Sequence, residues 1–241
     1  HLGKLNNFSP LKTITLRTFG CGESNLAEQL KECIADFSEL SIAFLPGYGQ
    51  VDIRISGKEA EGVERAAARI KKTLGTLIYG FGGETLEKRV VDLLINRKVT
   101  IATAESCSGG LVAHNLTNIP GSSACFKRGV VVYSNQAKIE LLSVPAALIE
   151  AKGAVSEEVA GIMAVKVREQ SGTDIGISLT GIAGPGGGSE EKPVGLVYIG
   201  YADRDGSTVF KCQFFGTREQ NKQMFALSVL NHVRQQLDPA D

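Results

Sequence analysis

The residues best equipped for chemistry lie in Thr100–Gly110, TIATAESCSGG, where an apolar, β-like run ends at a carboxylate, a serine, a cysteine and a pair of glycines. A strand ending in a small turn that bears a nucleophile is a common way to build an acyl-transfer site. Gly109 and Gly110 permit a sharp turn and let backbone N–H groups approach a reacting carbonyl. Ser106 is the leading candidate nucleophile. The competing explanation is that Glu105, Ser106 and Ser108 cap a helix starting near Leu111. Cys107 competes for the role, because a thiolate attacks amides well when a nearby cation lowers its pKa. Neighbours at a strand-to-helix turn point in different directions, so one of the two is expected to face a pocket.

Two further segments carry reactive groups. In Tyr133–Lys138, YSNQAK, an apolar strand hands over to a helix and brings Tyr133, Ser134, Asn135 and Lys138 within about one turn. Lys138 can act as general base if burial or neighbouring charge lowers its pKa from the usual ~10.4. Tyr133 can relay the proton or orient the lysine. The alternative is a solvated helix lysine and a half-buried strand tyrosine. Thr180–Ser189, TGIAGPGGGS, follows another apolar strand and holds five glycines and a proline. Successive glycines can turn several backbone N–H groups into one concavity that holds phosphate. It is not a P-loop, because GK[ST] is missing, nor a dinucleotide fingerprint, because the chain returns to a strand at Val194. Phosphate nest and flexible connection both stay open, as does whether Glu190, Glu191 and Lys192 close over a ligand or form a solvated face.

The elements around these segments fall into two groups. Lys12–Thr18 alternates as a strand, Ser24–Phe37 repeats at helical spacing, Ser41–Leu45 and Val51–Ser56 flank the turn PGYGQ, Glu59–Leu74 is helical with Val63, Ala67, Ile70 and Leu74 inward, and Leu77–Tyr79 is a short strand. That is a small βαββαβ-like α+β domain, residues 1–80. Gly80–Gly83 breaks both periodicities, and a second domain is expected over 84–241. It starts with a helix over Glu84–Arg97 and runs strand Thr100–Thr103, helix Leu111–Leu116, strand Arg128–Tyr133, helices near Gln136–Leu142 and Ser156–Gln170, and strand Asp174–Leu179. Strands Val194–Ala202 and Ser207–Phe215 and helix Glu219–Leu237 complete it. Near-continuous apolar strands such as GVVVYS and IGISL, alternating with helices, predict a three-layer α/β/α domain. Its sheet is expected to be mixed, because DRDG alone joins the last two strands.

Composition narrows the function classes. With 26 basic and 26 acidic residues the formal charge is zero, which gives no broad footprint for nucleic acid or an anionic membrane. No apolar run of ~20 residues and no leader is evident, and the opening His1–Gly3 reads as a scar or truncation point of a longer chain. Five scattered cysteines read as reduced thiols of a cytoplasmic protein. Cys125 and Cys212, in apolar strand-like contexts, read as buried small hydrophobes. Three histidines and the lack of CxxC speak against a metal, and no cofactor is expected.

Taken in order, AESCSGG, PGSSACFKRGVVVYSNQAK, GAVSEEVA and TGIAGPGGGSEEKPVG resemble the C-terminal domain of the competence/damage-inducible protein CinA and the stand-alone NMN deamidases, over about Leu86–Leu237. The resemblance implies hydrolysis of the carboxamide of nicotinamide mononucleotide (NMN) to nicotinate mononucleotide and ammonia. The family's serine falls on Ser106, its lysine on Lys138 and the neighbouring tyrosine on Tyr133; ESCSGG here replaces the usual ESCTGG and keeps the hydroxyl at Ser108. Backbone N–H groups near Ser108–Gly110 are expected to hold the oxyanion. The substrate contacts are expected from Glu105, Ser108, Gly109, Gly110, Asn135, Thr180, Gly184, Gly186, Gly187 and Ser189. The first ~80 residues resemble the KH-type connecting domain of full-length CinA. RNA binding does not follow, because a GxxG loop flanked by basic residues and an aromatic platform are missing; Arg65, Arg69, Lys71 and Lys72 read as a solvated helix face or an inter-subunit contact. Full-length members also carry a domain similar to molybdopterin-binding proteins, associated with ADP-ribose pyrophosphatase activity, which these 241 residues do not contain. The resemblance implies a homo-oligomer. The alternatives are a silent nucleotide- or partner-binding module and an amidase for another nicotinamide or nucleoside amide.

Overall fold

The computed structural model describes residues 11–238; His1–Gly3, read above as a scar or truncation point, lie outside them. The chain divides into two compact units with the change at Thr85/Leu86. In the first, β1 (Lys12–Phe19), β2 (Ser41–Pro46), β3 (Gln50–Gly57) and β4 (Ile78–Phe81) form an antiparallel sheet in the order β2-β3-β1-β4. Helices α1 (Glu23–Ala35) and α2 (Ala60–Leu74) pack on it and bury Leu26, Leu30, Val63 and Ile70 against Leu16, Ile53 and Ile55. Each such side chain contributes about 1.5–3 kcal/mol. Arg65, Arg69, Lys71 and Lys72 lie on the exposed side of α2, where Arg69 pairs with Asp36 at 2.7 Å.

The second unit holds helices α3 (Leu86–Arg97), α4 (Leu111–Thr117), α5 (Asn135–Leu142), α6 (Ala146–Lys152), α7 (Glu157–Ser171) and α8 (Arg218–Leu237) around a five-stranded sheet. Its strands are β5 (Ile101–Glu105), β6 (Phe126–Val131), β7 (Ile175–Gly181), β8 (Leu196–Ala202) and β9 (Ser207–Gln213), in the order β6-β5-β7-β8-β9. β6, β5 and β7 run parallel, and β8 and β9 are antiparallel additions. Helices α5, α6 and α7 cover one face, meeting Ala102 and Ala104 through Val159, Met163 and Val167, while α3, α4 and α8 pack together on the other. This is a three-layer α/β/α unit with a mixed sheet.

At three points within the fold the structure departs from the sequence reading. Helix α6 is absent from it, because Pro145 and the short segment behind it mask a seven-residue helix. The run GVVVYS, expected to be buried on both faces, only begins in β6, which is an edge strand with Arg128, Gly129 and Val131 exposed; Val132 just beyond it is buried. β-Branched residues favour a strand wherever it lies, so composition alone does not separate edge from centre. All five cysteines are free; Cys125 is buried, and Cys212, expected to be buried as well, is partly exposed. Among the described residues no helix is long and apolar enough to cross a membrane.

Candidate active site

Parallel strands deliver their C-terminal ends to one edge of a sheet, and ligands of open α/β sheets gather there. Here β5, β6 and β7 end side by side, with Glu105 opposite both Val131 and Leu179. The serine turn, the YSNQAK segment and the glycine loop therefore converge. Beyond β5 the chain stays tied to both neighbours: Ser106 N–H donates to the Leu179 carbonyl (3.0 Å) and Val132 N–H to that of Glu105 (2.8 Å).

Lys138 reaches the serine from α5. Ser134 caps that helix, accepting from Ala137 N–H at 3.0 Å, and Lys138 follows one turn later, only 1% exposed. Its Nζ lies 3.0 Å from Ser106 Oγ, 2.9 Å from the Val132 carbonyl and 3.4 Å from the Tyr133 carbonyl. Burial drives its pKa below the usual lysine value, since a charged amine loses hydration there. Among the described residues no carboxylate forms an ion pair with it to oppose that shift. A neutral amine has two N–H donors and one lone pair. The two carbonyls can take the donors, which leaves the lone pair for the serine hydroxyl.

Ser106 and Cys107 both line the resulting cavity of about 300 Å³, so the expectation that one of them faces it is corrected. The two still differ. Burial, reinforced by the nearby Glu105, pushes the Cys107 thiol up to about 12, and it stays protonated near neutrality. Lys138 Nζ is hydrogen-bonded to Ser106 Oγ and not, among the hydrogen bonds of the described residues, to the thiol.

Tyr133, Asn135, Lys138, Thr180, Gly184, Gly186 and Gly187 also line the cavity. Tyr133 meets Lys138 through its backbone carbonyl, while its phenol accepts from Arg218 Nη2 at 3.0 Å. The Thr180 hydroxyl donates to the Ala154 carbonyl at 2.7 Å. Glu105, Ser108, Gly109, Gly110 and Ser189 stand outside the lining. Glu105 and Ser108 are fully buried and bonded to each other, and Ser189 Oγ closes its own turn by accepting from Lys192 N–H at 3.0 Å. Lys192 does not close over the cavity; its ammonium donates to the Lys152 carbonyl at 2.7 Å.

Arg218, which the sequence reading leaves out, joins the site at the first residue of α8. Its guanidinium donates to the Gly184 carbonyl (2.8 Å) and to the Tyr133 phenol (3.0 Å), joining two of the converging segments. Asn221, one turn later, holds the Ala183 carbonyl at 3.0 Å, and the Lys222 ammonium lies against Gly109. The signal was present: Thr217–Gln220 is a capping box, which sets the helix start at Arg218. A cation there opposes the helix dipole, which favours acids at that end. A larger groove of about 530 Å³ lies around the opposite ends of the strands, but its Arg97, Arg168 and Arg204 are matched by Asp174, Asp203 and Asp205. It has no counterpart of the serine–lysine pair.

Residues 83–237 match the family described as CinA C-terminal domain, and residues 13–80 match the damage-inducible protein CinA KH domain. A CinA-like protein of Chloroherpeton thalassium is 46% identical over 239 residues, covering 95% of this chain and 57% of that protein. A putative competence-damage inducible protein of Caldicellulosiruptor bescii is 42% identical over 241 residues, covering 97% and 59%. The chain thus spans under three fifths of the length of these relatives. Among solved structures, a CinA superfamily protein of Klebsiella pneumoniae superposes with a TM-score of 0.61 at 32% identity, over 63% of this chain and 95% of that one. The competence/damage inducible protein CihA of Agrobacterium tumefaciens gives 0.56 at 38%, over 63% and 91%. By sequence, by fold and by the order of its segments, this chain belongs to the CinA family and joins a CinA KH domain to a CinA C-terminal domain.

Proposed function

We propose that this chain is a serine amidohydrolase that converts NMN to nicotinate mononucleotide and ammonia. The observation that carries the reading is the buried Ser106–Lys138 pair, 3.0 Å apart, in the wall of a cavity beside a glycine loop. Neutral Lys138 takes the Ser106 proton as Oγ bonds to the carboxamide carbon. The backbone N–H of Cys107, whose residue lines the cavity beside Ser106, and that of Ser108 next in the turn are the donors offered to the oxyanion, because those of Ser106 and Gly109 are already bonded to the Leu179 and Ser106 carbonyls. Lys138 then returns the proton to the departing nitrogen, the C–N bond breaks, and ammonia leaves an acyl-serine. Water, deprotonated by the same amine, attacks the acyl carbon and restores Ser106 with release of the nicotinate carboxylate. The Tyr133 phenol accepts from Arg218 and keeps its own O–H in the cavity wall, while the direct proton path runs through Lys138, the group bonded to Ser106 Oγ.

A cavity of about 300 Å³ is at the small end of ligand sites and suits a mononucleotide better than a dinucleotide. Asn135 offers an amide partner for the carboxamide, and Arg218 with the Gly184–Gly187 backbone offers an anion site for the 5′-phosphate. The direct test is ammonia release from NMN by the purified protein; no release by protein that binds NMN refutes the amidase and leaves a binding module. Amides lacking the phosphate then define the substrate range.

Two phosphate-dependent effects are expected. Arg218→Ala should raise KM for NMN about 10–100-fold with kcat little changed, the value of a charge-assisted hydrogen bond. Nicotinamide riboside should bind the wild type more weakly than NMN and be insensitive to this substitution; equal losses for both ligands would remove Arg218 from the phosphate site. Within the loop, Gly184 (φ +91°) and Gly187 (φ +84°) adopt left-handed conformations, so substitution there distorts the loop itself. Gly186 lines the cavity, and a Cβ on it would meet nothing within 4 Å. Gly186→Leu is therefore the cleaner probe. It should raise KM for NMN by about tenfold or more, while an unchanged KM would leave the loop a mere connection.

A further inference from the structure

Glu105 immediately precedes the nucleophile, is fully buried and lies outside the cavity lining. Its carboxylate accepts three hydrogen bonds: Oε1 from Ala113 N–H (2.8 Å), and Oε2 from Val112 N–H (3.0 Å) and from the Ser108 hydroxyl (2.7 Å). The two N–H groups belong to the first turn of α4, which Ser, Thr, Asp or Asn at the N-cap would ordinarily satisfy. Here the N-cap is Gly110, left-handed at φ +92° and without a side chain. The cap is supplied instead from the end of β5, across the turn that carries Ser106.

That arrangement clamps the reactive turn at both ends. On one side, Ser106 N–H and the Glu105 carbonyl are bonded to the neighbouring strands; on the other, the Glu105 side chain fixes the start of α4. Within the turn Gly109 N–H closes on the Ser106 carbonyl at 3.1 Å, and the Ser108 hydroxyl is drawn to Glu105. Direction matters here, because an oxyanion is stabilised only by N–H groups aimed at the place where charge develops. We infer that Glu105 is a positioning residue: it touches no substrate and sets the backbone donors at Cys107 and Ser108, between Ser106 and Gly109, through its bonds to α4 and the Ser108 hydroxyl. This rests on the serine-nucleophile reading above.

Glu105→Gln keeps size and shape but turns one oxygen into an NH2 group. In either orientation that group opposes a backbone N–H that the carboxylate now accepts. The expected result is a fall in kcat of about 10²-fold, comparable to losing one oxyanion donor, with KM for NMN within about twofold. General destabilisation would not produce that split in the folded fraction. A second readout avoids NMN: the rate at which a small alkyl fluorophosphonate labels Ser106, followed by intact mass, should fall by a similar factor, because its phosphoryl oxygen draws on the same donors. Should Glu105→Gln fail to fold, Ser108→Ala removes one of the three bonds, and a fall of about 3–10-fold in kcat and labelling rate is expected. Turnover and labelling at wild-type rates in the folded variant would overturn the inference. A wild type that is labelled but releases no ammonia from NMN overturns the substrate alone, and the labelling comparison still decides the role of Glu105. A wild type that shows neither overturns the nucleophile reading and this inference together.

Discussion

Replacing Ser106 by alanine is expected to reduce ammonia release from NMN by at least about 10³-fold, with the dissociation constant for NMN within about threefold of wild type. The loss is large because the hydroxyl alone forms the covalent bond, and the binding cost is small because one oxygen is removed from a wall built by many groups. Cys107→Ala supplies the contrast. The thiol lines the same cavity but is held protonated, and Lys138 is bonded to the serine. The alanine variant should therefore retain most activity. Calorimetric binding of NMN to Ser106→Ala, together with turnover by both variants, checks the assignment; an active serine variant beside an inactive cysteine variant would reverse it.

Lys138→Arg should be as inactive, because a guanidinium keeps its proton throughout the working range and cannot serve as a base. In the wild type kcat/KM should rise with pH through the lowered pKa of Lys138, below the range of an ordinary lysine, and then level off. A folded Lys138→Arg enzyme of normal activity would eliminate the amine as base. The same shift has a consequence for stability. The folded pKa lies below the unfolded value of ~10.4, so between the two the unfolded chain binds more protons and stability rises with pH. Below the folded pKa the cost of the buried charge is present in full. Measured by urea unfolding, the stability of wild type relative to Lys138→Met should climb with pH in that window at up to about 1.4 kcal/mol per pH unit. A difference independent of pH would mean that the amine is not desolvated.

Much of the site was legible because its parts sit at the ends of apolar strands that the pattern alone makes parallel. Ser106, Lys138 and the glycine loop are far apart in sequence but could be placed on one edge before any coordinate was known. What was not legible depended on side-chain direction. Glu105 and Ser108 read either as contacts to a ligand or as caps of the helix near Leu111; Glu105 does cap α4, with the Ser108 hydroxyl bonded to it, and what decides between the two readings is the left-handed Gly110, which leaves that helix without a cap of its own. Arg218 lies 85 residues from the Tyr133 hydroxyl that it grips, and helical periodicity from Glu219 onward placed it just outside its own helix. The helix over Ala146–Lys152 was lost for a different reason: seven residues give too few turns for a period to show.

The antiparallel pair β8–β9 gives the sheet a parity. β7 runs toward the cavity, β8 away from it and β9 toward it again, so the chain reaches α8 on the side where Arg218 is needed. One returning strand would have left that arginine at the other end. The reversal takes place at Asp203–Gly206, an exposed turn bonded within itself and remote from Ser106. The hairpin tip thus lies at the rim opposite the one where Ser106 and Lys138 meet. A fluorescent or affinity tag inserted at the hairpin tip is expected to leave the Ser106–Lys138 cavity unaltered, which NMN binding by the tagged protein checks.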